Sequence, residues 1–343
     1  MSLPIVRERV DLAPYTTLRL PGKARFMADV HDQNALSHLL AWADERSLPV
    51  VLLGGGSNLV VEGDVEALVL RLCITGRVWT DVSDSGATLV LGAGERWHEV
   101  VCYVASLGYR GIENLALIPG SVGAAPVQNI GAYGMELKDS LQWVDVWDRQ
   151  ASAVRRLSAD DCDFAYRHSR FKVDSGRFVI LHVALRLSRQ RPFVLDYREL
   201  SVHPLAQAPA DELTPRHLVE AVTQIRRAKL PDPDETPNAG SFFKNPVVEP
   251  AVAERLRAVY PDMVMYPDAA GCKLAAAWLI DRCGWKGFRE GSVGVHTQQA
   301  LVLVHYGGGT GAQLMALAQR IADSVAMRFG VNLEMEPQRL GAP

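Results

Sequence analysis

From Asn114 to Met135 the chain carries no charged residue across twenty-two positions, and the core of that run, Ile118 to Gly134, reads IPGSVGAAPVQNIGAYG. Four glycines, three alanines and two prolines interrupt it, so it cannot bury a continuous apolar face. A membrane-spanning helix needs about 20 apolar residues without such breaks. Glycine and alanine instead let another molecule approach the main chain, and Ser121, Gln128 and Asn129 add neutral hydrogen-bonding groups. The chemistry this suits is the holding of a large, partly anionic cofactor. A second glycine cluster, VVLLGGGSNLVV at 50–61, points the same way. A dinucleotide fingerprint needs GxGxxG leading from a strand into a helix. Here Asn58, Leu59, Val60 and Val61 favour a second strand, and no Walker lysine follows, so the Rossmann and P-loop readings both fail. A strand–turn–strand glycine loop still binds phosphate through a nest of backbone N–H groups, with a plain tight turn as the even alternative. GGGTG at 307–311 has no following lysine and reads as an ordinary flexible connection. Together the two N-terminal glycine elements suit a cofactor with two phosphates and a flat ring system.

The elements that must hold these turns are legible in the hydrophobic pattern. Residues 35–46 place apolar side chains at 36, 39, 40 and 43, a helical stripe. LPVVLL then predicts a buried strand running into Gly54–Gly56, and 66–72 and 88–94 are further strands. GERWHEVVCYVASLG predicts a helix capped by Gly108. WVDVWD and FVILHVALRL predict alternating strands between about 142 and 187. The Pro-bearing stretch 203–215 predicts a loop, followed by a helix, RHLVEAVTQIRRAKL, that PDPDETP stops. The last third predicts helices 250–259, 273–283 and 312–328, a strand ALVLVHY, and a closing strand VNLEME.

Composition narrows the function classes. A chain of 343 residues is long for one core, and 48% hydrophobic with 22% charged residues is ordinary for a soluble globular protein. The net charge of −3 gives no sign of nucleic-acid binding. Five cysteines without a CxxC pair or metal-ligand spacing predict reduced thiols and no metal site. The N-terminus MSLPIVRERVDLAPY has no apolar h-region, and no stretch spans a bilayer, so a cytoplasmic protein with no membrane partner is expected.

Six ordered motifs carry a resemblance: LLGGGSNLVV, ENLALIPGSVGAAPVQNIGAYGMEL, FAYRHSRFK, KLPDP, AGSFFKNP and LAAAWLIDRCGWKG. In them the chain resembles the UDP-N-acetylenolpyruvoylglucosamine reductase family from about Thr16 to Gly341, in its longer type with a tyrosine-bearing loop. The resemblance implies an α+β fold: an FAD-binding unit of the vanillyl-alcohol-oxidase/PCMH type, built of two subdomains, plus a C-terminal α+β substrate-binding domain. It places subdomain 1 at 1–72, subdomain 2 at 73–230 (the PCMH-type region about 16–188), the substrate domain at 231–330, and a strand and tail with the catalytic glutamate at 331–343. It implies reduction of UDP-N-acetylglucosamine enolpyruvate to UDP-N-acetylmuramate in peptidoglycan precursor synthesis, with FAD as cofactor, NADPH as co-substrate and a monomer as the expected state.

The same resemblance assigns residues. Ser241 matches the proton donor, although a bare turn serine would read as a strand cap, and Arg167 matches the arginine that polarises the substrate carboxylate. The catalytic glutamate falls where the chain departs from the family's pattern, reading LEMEPQR. Counting back from Gly341 favours Glu336, with Glu334 as runner-up because a strand would put both on one face. For FAD it implies Gly54, Gly55, Gly56, Ser57 and Asn58 at the pyrophosphate. Ile118, Pro119, Gly120, Gly123, Ala124, Gly131, Ala132 and Tyr133 line the flavin, with Arg226 as a flavin or phosphate partner. For substrate it implies Tyr133, Tyr197, Lys229 and Asn245. Tyr266, Lys273, Lys286 and Gln299 follow, which as bare residues read sooner as a surface charge, a turn aromatic or a strand polar group. Arg170 and Lys172 read as a solvated basic edge, and His168 and His296 as structural. The competing reading, another flavin oxidoreductase of the same fold, gives no reason for the set Ser241, Arg167 and Glu336.

Overall fold

The structure, a computed structural model, describes residues 4–209, 211–268 and 270–341. It divides into two compact units. The first comprises the chain up to Val10, Ala24–Gly55 and Glu66–Ala228; the second comprises Asp11–Lys23, Gly56–Val65 and the chain from Lys229 onward.

The first unit holds two sheets. The smaller runs in the order Arg7–Asp11, Lys23–Val30, Val65–Leu72, Val50–Leu53. The helix Gln33–Asp44 starts where Asp32 accepts the Ala35 N–H, and it buries Leu36, Leu39, Leu40 and Ala43, the predicted stripe. Each leucine so buried contributes about 2 kcal/mol of transfer free energy. Val50–Leu53 forms as expected but buries only Leu53 fully, because it pairs on one side alone, in parallel with Val65–Leu72. The larger sheet is antiparallel, in the order Ala153–Ser158, Leu141–Asp148, Phe178–Ser188, Gly86–Gly92, Arg77–Thr80. Its central strand, Phe178–Ser188, does not alternate as the sequence predicts. A register shift at Leu181 turns it over, so Val179 and Leu181 pack with the smaller sheet and its helix while Ile180, Val183, Leu185 and Leu187 join the main core. The helix Trp97–Ser106 ends at Leu107, and Gly108 at φ +80° closes it. The loop 203–215, of which Ala210 lies outside the described residues, contains a short 3-10 turn, Pro204–Gln207, and leads to the helix Pro215–Lys229.

The second unit contains an antiparallel sheet in the order Asn238–Ser241, Val302–His305, Val293–Val295, Arg289–Glu290, and a three-stranded sheet centred on Gly271–Leu274. That central strand corrects the predicted helix 273–283. Residues 271–274 pair with Val247–Val248 and with Met265–Asp268, and the helix starts only at Ala276. Two ladders of backbone hydrogen bonds override the helical pattern of so short a segment. The predicted closing strand VNLEME also shifts: the strand is Gln338–Leu340, parallel to Leu59–Val61. The GGGTG connection is pinned rather than flexible. Buried His305 accepts the Gly309 N–H and its other ring nitrogen meets the Leu18 carbonyl, while Thr310 and Gln313 form a capping box for the helix Gly311–Phe329.

One ion-pair centre locks the outer hairpin of the large sheet. Asp148 is fully buried and accepts from Arg177 Nε and Nη2, Arg155 Nη1 and the Gln150 N–H. These donors, Arg177 foremost, hold its carboxyl well below the usual carboxylate range. A depressed folded-state value contributes stability above the unfolded pKa of about 3.9, lost as pH falls through the folded value. Asp148→Asn is therefore expected to lower the urea midpoint at pH 7 and to flatten the decline of stability below pH 4. An unchanged acid limb by urea titration at several pH values would count against it.

Candidate active site

The glycines of the first cluster are there for lack of room. A Cβ at Gly54 would lie 2.7 Å from Ser121 Oγ, and one at Gly55 would lie 2.6 Å from Gly120 Cα. The two charge-free elements therefore meet backbone to backbone, as the sequence suggested they should share a ligand. Residues 115–123 are held by a neighbouring segment: Gly123 and Val122 donate to the carbonyls of Ala93 and Glu95, and Arg96 bridges Ser121. Pro119 and Ala124 are exposed on this wall, with Ile118 and Gly120 half-buried. The Ser121 hydroxyl is buried and has no hydrogen-bond partner among the described residues. A buried donor without a partner is costly, so it fits a surface completed by a ligand. Arg226 Nε is likewise buried and unpartnered, and burial pushes the Arg226 pKa down. Both observations fit a bound group with phosphates, as a flavin dinucleotide has. On the other side of the turn, Gly56 at φ +65° lies so close to Tyr15 that a Cβ would strike its carbonyl oxygen, and its own carbonyl accepts the Thr17 N–H.

A second cluster in the same unit gathers several candidates. Ala165 and His168 exchange hydrogen bonds around a tight turn that puts Arg167 at φ +53°. This backbone favours glycine or asparagine, so an arginine there is held under strain. Its guanidinium donates to the Gly131 carbonyl at 3.3 Å, and Lys172 donates to the Arg167 carbonyl. Lys172 thus steadies the turn, a correction to the solvated-edge reading. Tyr133 and Tyr197 meet edge to face, their ring centroids 5.0 Å apart. Burial pushes the Tyr133 phenol up to about 12, against the opposing pull of Arg226, so it stays a neutral donor. Asn114, fully buried, donates to the carbonyls of Tyr133 and Val194 at 2.8 Å each, tying the glycine wall to the loop that carries Tyr197. Asn129, expected to face a ligand, is instead buried at φ +43°. Its side chain holds Glu136, the Ala165 carbonyl and the Lys138 N–H.

The second unit supplies the remaining candidates. Strand Asn238–Ser241 carries a bulge: Asn238 pairs with Val304 and Ser241 with Val302, and Gly240 sits at φ +70° with its N–H held by the Asn238 side chain. The bulge re-aims Ser241. Beside it, Phe243 pairs antiparallel with Met335, and Glu336 donates its N–H to the Phe242 carbonyl. Asn58 donates its side-chain amide to the Glu336 carbonyl. Glu336 is half-buried, whereas Glu334 is exposed and ion-paired with Lys244. Asn245 Oδ1 accepts the Ala276 N–H, capping the helix Ala276–Arg282, so its Nδ2 end carries the donors a phosphate needs. Lys229 closes the helix Pro215–Lys229 and is half-buried. Tyr266 stands opposite Lys273, whose ammonium lies 3.7 Å from Asp268. Lys286 lies 3.6 Å from Asp281 at the surface, and Gln299 Oε1 accepts the Leu301 N–H. Ser57 and Asn58 are half-buried.

Comparison with known proteins bears on this arrangement. The description "FAD binding domain" matches residues 24–157, and "UDP-N-acetylenolpyruvoylglucosamine reductase, C-terminal domain" matches residues 232–340. The UDP-N-acetylenolpyruvoylglucosamine reductase of Pseudomonas aeruginosa is 50% identical over 339 residues, 98% of this chain and 99% of that protein. That of Pseudomonas putida is 48% identical over 334 residues, 96% and 98% of the two chains. This chain belongs to the UDP-N-acetylenolpyruvoylglucosamine reductase family. The crystal structure of the reductase from Thermus caldophilus shares its fold, with a TM-score of 0.67 over 98% of this chain and all of that one, at 24% identity. Membership does not by itself explain Asn114, Trp97 or His98, which sequence reasoning passed over. The signal was present for Asn114, a polar residue at the mouth of an apolar run. Trp97 and His98 looked like one turn of an amphipathic helix.

The strained turn at Arg167 allows the stability of the turn to be measured apart from the role that the resemblance implies for its side chain. Arg167→Gly suits φ +53° and should keep unfolding stability within about 1 kcal/mol of the parent, or raise it. Turnover should fall by at least about 100-fold. Calorimetry and steady-state assay together check this; a large loss of stability would show that the side chain holds the fold.

Proposed function

We infer that this chain reduces UDP-N-acetylglucosamine enolpyruvate to UDP-N-acetylmuramate with FAD as cofactor and NADPH as co-substrate, a step of peptidoglycan precursor synthesis. Family membership over nearly the whole chain supports the reaction. The observation that carries the site is the cluster of Arg167, Arg226 and neutral Tyr133 against Gly131 of the glycine wall, a set of donors suited to anionic groups. When bound, the flavin supplies hydride transfer between NADPH and the enolpyruvyl double bond.

Hydride arriving at the terminal methylene carbon leaves negative charge on the neighbouring carbon and its carboxylate. A fixed cation lowers the cost of that charge most effectively where water is excluded. We assign this to Arg167, whose planar, permanently charged fork matches two carboxylate oxygens. Ser241 delivers the proton to the neighbouring carbon, and Glu336 acts on the same charge distribution by hydrogen bonding and electrostatics. Glu336 rather than Glu334 is assigned this role, on its place counted back from Gly341 and because Glu334 is exposed at the surface while Glu336 is half-buried. Lys229, Asn245, Tyr197, Tyr266, Lys273, Lys286 and Gln299 are assigned to the diphosphate and uridine of the substrate. Gly54–Asn58, Ile118–Pro119–Gly120, Gly123–Ala124, Gly131–Tyr133 and Arg226 are assigned to FAD. A reaction that draws on NADPH and a nucleotide sugar places the enzyme in the cytoplasm, and no helix among the described residues is long and apolar enough to cross a membrane.

The purified protein should show a flavin absorption spectrum and oxidise NADPH rapidly only when the enolpyruvyl UDP-sugar is present. Ser241→Ala should leave flavin reduction by NADPH intact while slowing substrate reduction by roughly 100- to 10,000-fold in stopped-flow. If both half-reactions survive in the variant, Ser241 is not the acid. Oxygen consumption with a simple alcohol, and no use of NADPH, would replace the reductase reading with that of an oxidase.

A further inference from the structure

The first turn of the helix Trp97–Ser106 grips the glycine wall at three places. The Trp97 backbone N–H donates to the Gly120 carbonyl at 3.1 Å, and its indole N–H donates to the Leu115 carbonyl at 2.9 Å. The third contact runs the other way: Leu117 donates its N–H to His98 Nδ1 at 3.0 Å. Leu117 sits at φ +56°, a left-handed conformation that a leucine adopts only when its surroundings impose it. It immediately precedes Ile118–Pro119–Gly120, the stretch assigned to the flavin. We propose that His98 is a positioning residue for the flavin, its unprotonated Nδ1 fixing the Leu117 turn that sets the course of the wall.

The imidazole has to be neutral, with its proton on Nε2, to do this. A protonated ring would turn an N–H donor against the Leu117 N–H donor, and the turn would release. The groups facing His98 favour the neutral form. Arg226 and Arg227 approach from the helix Pro215–Lys229, and Glu99 alone on its own helix pulls the other way. The Cys102 thiol lies 3.7 Å from Nε2, and burial pushes its own pKa up, so it remains uncharged. Burial first, and then the two arginines, push the His98 pKa down. The sign follows: flavin binding draws on the neutral ring, so affinity is level at neutral pH and falls as acid protonates His98 in the apoprotein.

The proposal rests on the flavin reading of the wall, and direct binding separates the two. Flavin-stripped protein would be titrated with FAD by fluorescence quenching between pH 5 and 8, with far-UV circular dichroism to confirm folding. The parent should bind with level affinity at neutral pH, then weaken on acidification with a limiting slope of about tenfold per pH unit, as one linked proton requires. His98→Ala should bind roughly tenfold more weakly at pH 7.5, the scale of one lost hydrogen bond to a buried N–H, and lose the acid limb. His98→Asn, whose Oδ1 takes the place of Nδ1 as an acceptor that does not titrate, should restore most of the affinity while remaining flat with pH. Failure of the parent to bind FAD would sink the flavin reading. Parent-like affinity and acid limb in His98→Ala would sink the role of His98. If the alanine variant does not fold, an acid limb retained in His98→Asn overturns the proposal alone.

Discussion

The approach of the Gly54–Gly55 turn to the Gly120–Ser121 backbone is the constraint on which the first unit depends. With 2.6 Å between a would-be Cβ and the opposing Cα, no side chain fits, and neither segment can bury apolar surface there in compensation. The closest approach, Gly55 to Gly120, is made of peptide groups, and Gly54 meets only the small Ser121 and Ala124 side chains, so the polarity there comes from backbone dipoles and a hydroxyl rather than from charge. That explains why a run of twenty-two residues is free of charged side chains yet is no membrane segment. The run is anchored from behind by Leu115, Ala116, Val122, Ala125 and Met135, which join the main core, while its glycine-rich face stays backbone.

The holding is done one residue at a time. Four non-glycine residues in or beside the wall are left-handed: Leu117, Asn129, Tyr133 and Arg167. Leu117, Tyr133 and Arg167 each cost about 1–2 kcal/mol relative to an ordinary backbone, so together they rival a sizeable part of a domain's net stability, whereas an asparagine adopts this backbone more readily. Each is met by a specific side-chain contact. His98 takes the Leu117 N–H, Asn129 braces itself through three hydrogen bonds, Asn114 takes the Tyr133 carbonyl, and Lys172 takes the Arg167 carbonyl. Backbone strain therefore gathers where the resemblance places the flavin and the substrate carboxylate. It persists there because the neighbours over-determine it.

These braces mark the boundary of what the sequence reveals. Helices such as Gln33–Asp44 and Gly311–Phe329 were legible because their periodicity and caps are local. The glycine turns were legible because close approach leaves a compositional trace. The strand Gly271–Leu274 was not, since its four residues continue a helical pattern and only the partner strands on both sides decide otherwise. The bulge in Phe178–Ser188 was hidden for a related reason: burial on both faces erases the alternation that would have exposed it. Asn129 was legible as a polar residue in the right place and misread in direction. A buried amide facing inward and one facing a ligand look the same in a sequence.

The electrostatics follow from the same division of labour. Beside a wall of peptide dipoles and a neutral Tyr133 stand Arg226 and Arg167, which repel each other and so, after burial, depress the Arg226 pKa further. Two cations that repel each other are an expense that folding alone would not select. A ligand bearing phosphates or a carboxylate removes that expense on binding, so the apoprotein is poised toward anions before any contact forms. The carboxylate we assign to the chemistry, Glu336, lies in the second unit, where its backbone is held by Phe242 and Asn58.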